Sequence, residues 1–95
     1  MIFQTKETKE LFEAVLSIDN VEECGKFFED ICTVKELQDL SQRFQVARLL
    51  KSGRSYQEIS KETGASTATI SRVNRALVYG SGGYKSVLEK SEVKK

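Results

Sequence analysis

The segment SYQEISKETGASTATISRVNRAL, residues 55–77, constrains this chain more than any other feature, because it carries the start and stop signals of two short helices separated only by a tight turn. Ser55 followed three residues later by Glu58 is a capping-box spacing, in which a hydroxyl and a carboxylate satisfy backbone N–H groups at a helix start. A helix is therefore expected from about Tyr56, ending near Gly64, the residue best able to take positive φ. Ser66 or Thr67 can cap a second helix that runs through Thr69, Ile70, Val73 and Leu77. Ile59, Ala65, Ile70 and Val73 are the apolar positions of the pair and would hold it at a steep angle. The pattern is that of a helix-turn-helix.

Thr67, Ala68, Ser71, Arg72 and Arg75 are left facing outward. Small side chains at a helix start let it approach base edges, while hydroxyls and arginines supply hydrogen bonds, so this face suits a DNA major groove. Arg54, Ser55, Tyr56 and Gln57, at the start of the first helix, are placed near phosphates, and Ser66 sits at the cap of the second. Double-stranded DNA is the expected partner. A helical hairpin that merely packs on the rest of the domain is the plainer alternative, but capping, turn and apolar spacing agree as consistent local signals should.

The remaining chain reads as helix throughout, with no proline and apolar residues at helical spacing. A first helix is expected over about residues 8–17, with Leu11, Phe12, Val15 and Leu16 on one side. Asn20 and Glu23 open a second, in which Cys24, Phe27, Phe28 and Ile31 recur at i, i+3, i+4 and i+7. Thr33 and Glu36 form another capping box, starting the longest helix, about residues 34–51, which ends before Gly53. Its apolar residues, Leu37, Leu40, Phe44, Val46, Ala47, Leu49 and Leu50, make a stripe wider than one partner needs. Exposing it would leave an adhesive patch, so a homodimer is expected. Gly80, Ser81, Gly82 and Gly83 read as a break, followed by a short helix marked by Tyr84, Val87 and Leu88, and a disordered tail over residues 90–95.

At 95 residues and 39% hydrophobic content the chain is expected to be one small all-α domain covering residues 1–95. No membrane span and no export leader are read from it, so a cytoplasmic location is expected. Cys24 and Cys32 have no histidine or further cysteine to join them, so no metal site is indicated and both read as small buried hydrophobes. The chain has no histidine, no phosphate-cradling glycine loop and no activated nucleophile, which argues against an enzyme and against a cofactor. Net charge is only +1, yet residues 7–39 carry ten acids against three lysines, and residues 43–75 carry seven bases against Glu58 and Glu62. The basic part coincides with the helix-turn-helix, as a DNA footprint requires.

The Leu-Leu-Lys-Ser-Gly run at residues 49–53, then Gln57-Glu58-Ile59, Gly64-Ala65 and Ala68-Thr69-Ile70-Ser71-Arg72 resemble the core of the Trp repressor superfamily. By helix order the whole chain resembles its YerC/YecD-like branch. The resemblance implies an intertwined homodimer whose two recognition helices enter successive major grooves of a near-palindromic operator, about 34 Å apart. It also implies a ligand pocket. Arg43 and Arg72 match the arginines that hold tryptophan in the family's namesake, and Thr33 and Thr69 match neighbouring threonines. Val73 and Ala76 depart from it, standing where that repressor has a glycine beside the indole and a serine on the ligand's amino group. A β-branched side chain occupies volume the ring would need, so tryptophan is not expected to fit. Operator binding without a corepressor, or with a different small-molecule effector, remains open.

The function expected from these readings is a sequence-specific DNA-binding transcription regulator, a dimeric repressor. The competing reading is a helical protein-interaction adaptor without sequence-specific DNA binding, whose acidic N-terminal part would be the working surface.

Overall fold

The computed structural model describes residues 5–93, all in helices or their connections. Six helices follow one another: α1 (Lys6–Leu16), α2 (Val21–Ile31), α3 (Val34–Lys51), α4 (Tyr56–Thr63), α5 (Thr67–Tyr79) and α6 (Gly83–Val93). They divide into two compact units, Met1–Leu37 and Gln38–Lys95, with the boundary inside α3.

In the first unit, helix starts are set by side-chain caps. The Thr5 hydroxyl accepts from the Thr8 N–H while the Thr8 hydroxyl accepts from the Thr5 N–H, so α1 begins two residues earlier than the sequence spacing suggests. Thr8 does at the third helical position what glutamate does in the usual capping box. Asn20 caps α2 through the Glu23 N–H at 2.7 Å. Thr33 and Glu36 start α3 reciprocally, the Thr33 N–H donating to the Glu36 carboxylate at 2.8 Å and the Glu36 N–H to the Thr33 hydroxyl at 3.1 Å. Neither α1 nor α2 has a buried residue. Leu16 is 83% and Val21 89% exposed, and Cys24 and Cys32 are half-buried free thiols rather than core residues.

The second unit holds the core. Val46 and Ala47 from α3, Ile59 from α4, Ala65 from the turn, Ile70 and Val73 from α5 and Leu88 from α6 are buried together, with Phe44, Leu49, Leu50, Leu77 and Tyr84 packed around them. The exit from α3 is a Schellman closure: Gly53 at φ +87° donates to the Leu50 carbonyl, and the Arg54 N–H reaches the Leu49 carbonyl at 3.1 Å. This explains why glycine stands at position 53. The tail expected to be disordered from Lys90 is instead helical to Val93, because buried Leu88 and half-buried Tyr84 anchor α6 to the core. Lys94 and Lys95 lie outside the described residues. None of the described helices is long and apolar enough to cross a membrane.

Candidate nucleic-acid interface

The candidate interface lies wholly within the second unit, on α4, α5 and the three residues that join them. Ser55 caps α4 through the Glu58 N–H, and Glu58 closes the box by accepting the Ser55 N–H at 2.9 Å. Gly64 ends the helix at φ +76°, its N–H donating to the Ser60 carbonyl at 2.8 Å. Ser66 then caps α5 through the Thr69 N–H at 3.1 Å. Both helix starts and the stop between them fall where the spacing predicts.

The turn is held by side chains as well as by backbone. The Ser60 hydroxyl donates to the Ala65 carbonyl at 2.8 Å, and the Thr63 hydroxyl donates to the Ile59 carbonyl at 2.7 Å while accepting the Ala65 N–H. From α3, the Gln42 amide donates to the Thr63 carbonyl at 3.2 Å. Beneath the turn Ile59, Ala65, Ile70 and Val73 are all buried, so α5 is held against α4 by packing.

On the opposite side of α5, Thr67, Ala68, Ser71, Arg72 and Arg75 are exposed. Together they form one continuous polar face with two arginines, and no ion pair holds either arginine among the described residues. Ser55, Tyr56 and Gln57 are exposed at the start of α4, as expected. Ser66 is exposed too, but its hydroxyl is engaged in capping and faces the Thr69 hydroxyl at 3.1 Å. Arg54 differs from a free phosphate contact. Its guanidinium lies 3.8 Å from the Glu58 carboxylate and 3.5 Å from that of Glu62. The Ser55 N–H, then the Ser55 hydroxyl, then Arg54 hold the Glu58 carboxyl below the usual glutamate range.

The four residues that resemble a ligand pocket divide between the units. Thr33 is in the first, where its hydroxyl caps α3, while Arg43, Thr69 and Arg72 are in the second. Arg43 and Thr69 are half-buried and Arg72 is exposed. Two cavities of about 320 and 270 Å³ in this unit are lined by other residues, among them Gln42, Arg48, Leu49 and Thr63 for the first, and Phe44, Lys51 and Leu88 for the second. Val73 is 2% exposed and buried in the same cluster as Ile70.

This sequence and fold match those of known proteins. The Trp repressor protein family model matches residues 6–92. The chain belongs to the Trp repressor family. Within that family it is 52% identical over 85 residues to the uncharacterised protein YerC of Bacillus subtilis (strain 168), covering 90% of this chain and 82% of that one. Two solved structures share the fold. A candidate Trp repressor from Staphylococcus aureus superposes with a TM-score of 0.90 at 49% identity, over 94% of this chain and 89% of the other. A TrpR-like protein from Eubacterium eligens ATCC 27750 gives 0.91 at 50% identity, over 94% and 92%. Membership in the Trp repressor family points to a DNA-binding regulator.

Sequence reasoning missed Ser60, Gln42 and the carboxylates that hold Arg54. A serine five residues before a turn alanine has no distinctive signature. Gln42 finds its partner 21 residues away, beyond the reach of any local pattern.

Proposed function

We propose that the protein is a homodimeric transcription repressor that reads a near-palindromic operator in double-stranded DNA through the major groove. The observation that carries this reading is the exposed face of α5, Thr67, Ala68, Ser71, Arg72 and Arg75, set over a turn whose apolar residues are all buried. Hydroxyls and arginines at the start of a rigid helix are what base edges can pair with. Arg54, Ser55, Tyr56 and Gln57 at the start of α4 act on the DNA backbone, fixing register without reading sequence.

Support for the dimer comes from the first unit. An amphipathic helix is stable only when its apolar face is covered, and α1 and α2 leave Phe12, Leu16, Val21 and Ile31 in the open. A second copy that covers these faces turns the chain into the intertwined single domain its family resemblance implies. Two α5 helices about one helical turn of DNA apart, roughly 34 Å, would then meet successive grooves. Tryptophan is not the corepressor in this reading, because Val73 takes the volume its ring would need. A different small-molecule effector would have Arg43, Thr69 and Arg72 to engage. A repressor of this kind works in the cytoplasm, where the DNA is.

The test is selection of fragmented genomic DNA by the purified protein at about 150 mM salt, which suppresses non-specific charge binding, with no ligand added. Recovery of a shared near-palindromic site supports the reading. Absence of any enrichment overturns ligand-independent operator binding and directs the search to a missing effector or to a protein partner, as in the adaptor reading.

A further inference from the structure

The last carbonyls of an α-helix have no partner within the helix and must find one elsewhere. Near the end of α4 three carbonyls have identified donors. The Ile59 carbonyl accepts the Thr63 hydroxyl, and the Ser60 carbonyl accepts the Gly64 N–H. The Thr63 carbonyl lies at the point where the chain leaves α4 for the turn. Its donor is the side-chain amide of Gln42, about halfway along α3.

Because Gly64 takes a left-handed conformation, the direction of the Thr63 carbonyl and the direction in which the chain enters α5 are set by the same two or three torsions. A donor that fixes the first therefore constrains the second. The buried side chains hold α5 against α4 through apolar contact, which resists separation but has little directional preference. Hydrogen bonds are directional, and this one is part-buried, where losing its donor leaves a carbonyl unsatisfied. Gln42 and Thr63 both line a cavity shared with Gln45, Arg48, Leu49 and Glu62, which leaves the bond between them at the surface of the turn and not within the apolar core.

We propose that Gln42 is a positioning residue for sequence recognition. Through the Thr63 carbonyl it fixes the angle at which α5 is presented, although it lies on neither helix of the reading unit. The proposal rests on the DNA-reading function above. A small change of angle displaces the side chains that meet base edges more than those that meet phosphates, since flexible arginine and hydroxyl contacts to the DNA backbone tolerate movement. Loss of the Gln42 donor therefore lowers preference for the operator while leaving general DNA affinity intact.

The experiment compares wild-type protein with Gln42→Met, which keeps the volume but has no donor, and Gln42→Lys, whose ammonium can donate to the same carbonyl. For each, affinity is measured for the selected operator and for an unrelated duplex over a salt series, with helicity and thermal midpoint recorded alongside. The expected result is that the operator-to-unrelated affinity ratio falls about fivefold in Gln42→Met. The salt slope should stay unchanged, and the ratio should return toward wild type in Gln42→Lys. A ratio unchanged in Gln42→Met, or operator and unrelated affinities falling together, overturns the positioning role while leaving the DNA-reading function standing. Wild-type protein that shows no preference for any duplex overturns both.

Discussion

The Ser60 hydroxyl donates to the Ala65 carbonyl at 2.8 Å, bridging the turn between α4 and α5 from inside the second unit. Ser60 is half-buried and Ala65 is buried, so water is a poor substitute for the lost bond. Ser60→Ala is expected to destabilise the protein by about 1 kcal/mol. Chemical denaturation against wild type checks this, and an unchanged midpoint would show that the turn does not depend on the bond.

Arg54 is shared between Glu58 and Glu62 on an exposed surface, so its pairing is weak and open to exchange. In the proposed complex a DNA phosphate would compete for the same guanidinium. Arg54→Ala is expected to lower affinity for all duplexes alike and to reduce the salt slope by about one. Glu62→Gln is expected to act the other way, raising affinity without altering sequence preference. Ser71→Ala and Thr67→Ala should instead change which sequence is preferred. Binding titrations over a salt series separate these outcomes, and identical scaling by all four variants would refute the assignment of roles.

Glu58 gives the stability a defined response to acid. Its carboxyl is held below the usual glutamate range by the Ser55 N–H, the Ser55 hydroxyl and Arg54, so the unfolded chain binds a proton more readily than the folded one. Its contribution is complete above the ordinary glutamate range and is lost as pH falls through the lowered value. Glu58→Gln, which keeps an acceptor for the Ser55 N–H but no charge, should flatten this acid limb. Urea denaturation across the acidic range in both proteins provides the comparison, and parallel curves would show that Glu58 contributes nothing.

Val73 bears on the choice of effector. Tryptophan titrated into wild-type protein is expected to give no saturable heat if its ring would sit, as the family resemblance implies, where Val73 is buried. Tight binding in the calorimeter would sink this argument.

Association can be read from the apolar faces of the first unit. Sedimentation is expected to report twice the chain mass for wild type. Phe12→Glu combined with Leu16→Glu places two charges on one face of α1, where both residues are exposed, and is expected to shift the protein toward monomer. A wild-type monomer would contradict the dimer outright.

Much of this architecture is legible in short-range spacing. The caps at Asn20, Thr33 and Ser55 and the helix stop at Gly64 lie where residues three apart, or a lone glycine, indicate. So do the buried positions Ile59, Ala65, Ile70 and Val73, because their determinants are separated by no more than one or two helical turns. The start of α1 was harder to place since Thr8 stands in for glutamate in the capping box. The pairing of Arg54 was hidden for a different reason. One sequence pattern marks both a cation poised for phosphate and a cation paired with carboxylates a turn or two away, and only side-chain positions distinguish them. The Gln42 tether and the uncovered faces of α1 and α2 depend on long-range geometry, about which helical periodicity is silent.

Every buried side chain among the described residues lies between Val46 and Leu88, whereas synthesis proceeds from the other end. The nascent chain therefore displays Leu11, Phe12, Leu16 and Val21 before any of the core residues has been made. The caps at Thr5 and Asn20 bias these first residues toward helix, which keeps their backbone groups engaged and away from the strand pairing that drives aggregation. On the ribosome, this local capping thus shields a segment that holds no buried residue even when the rest of the chain has folded.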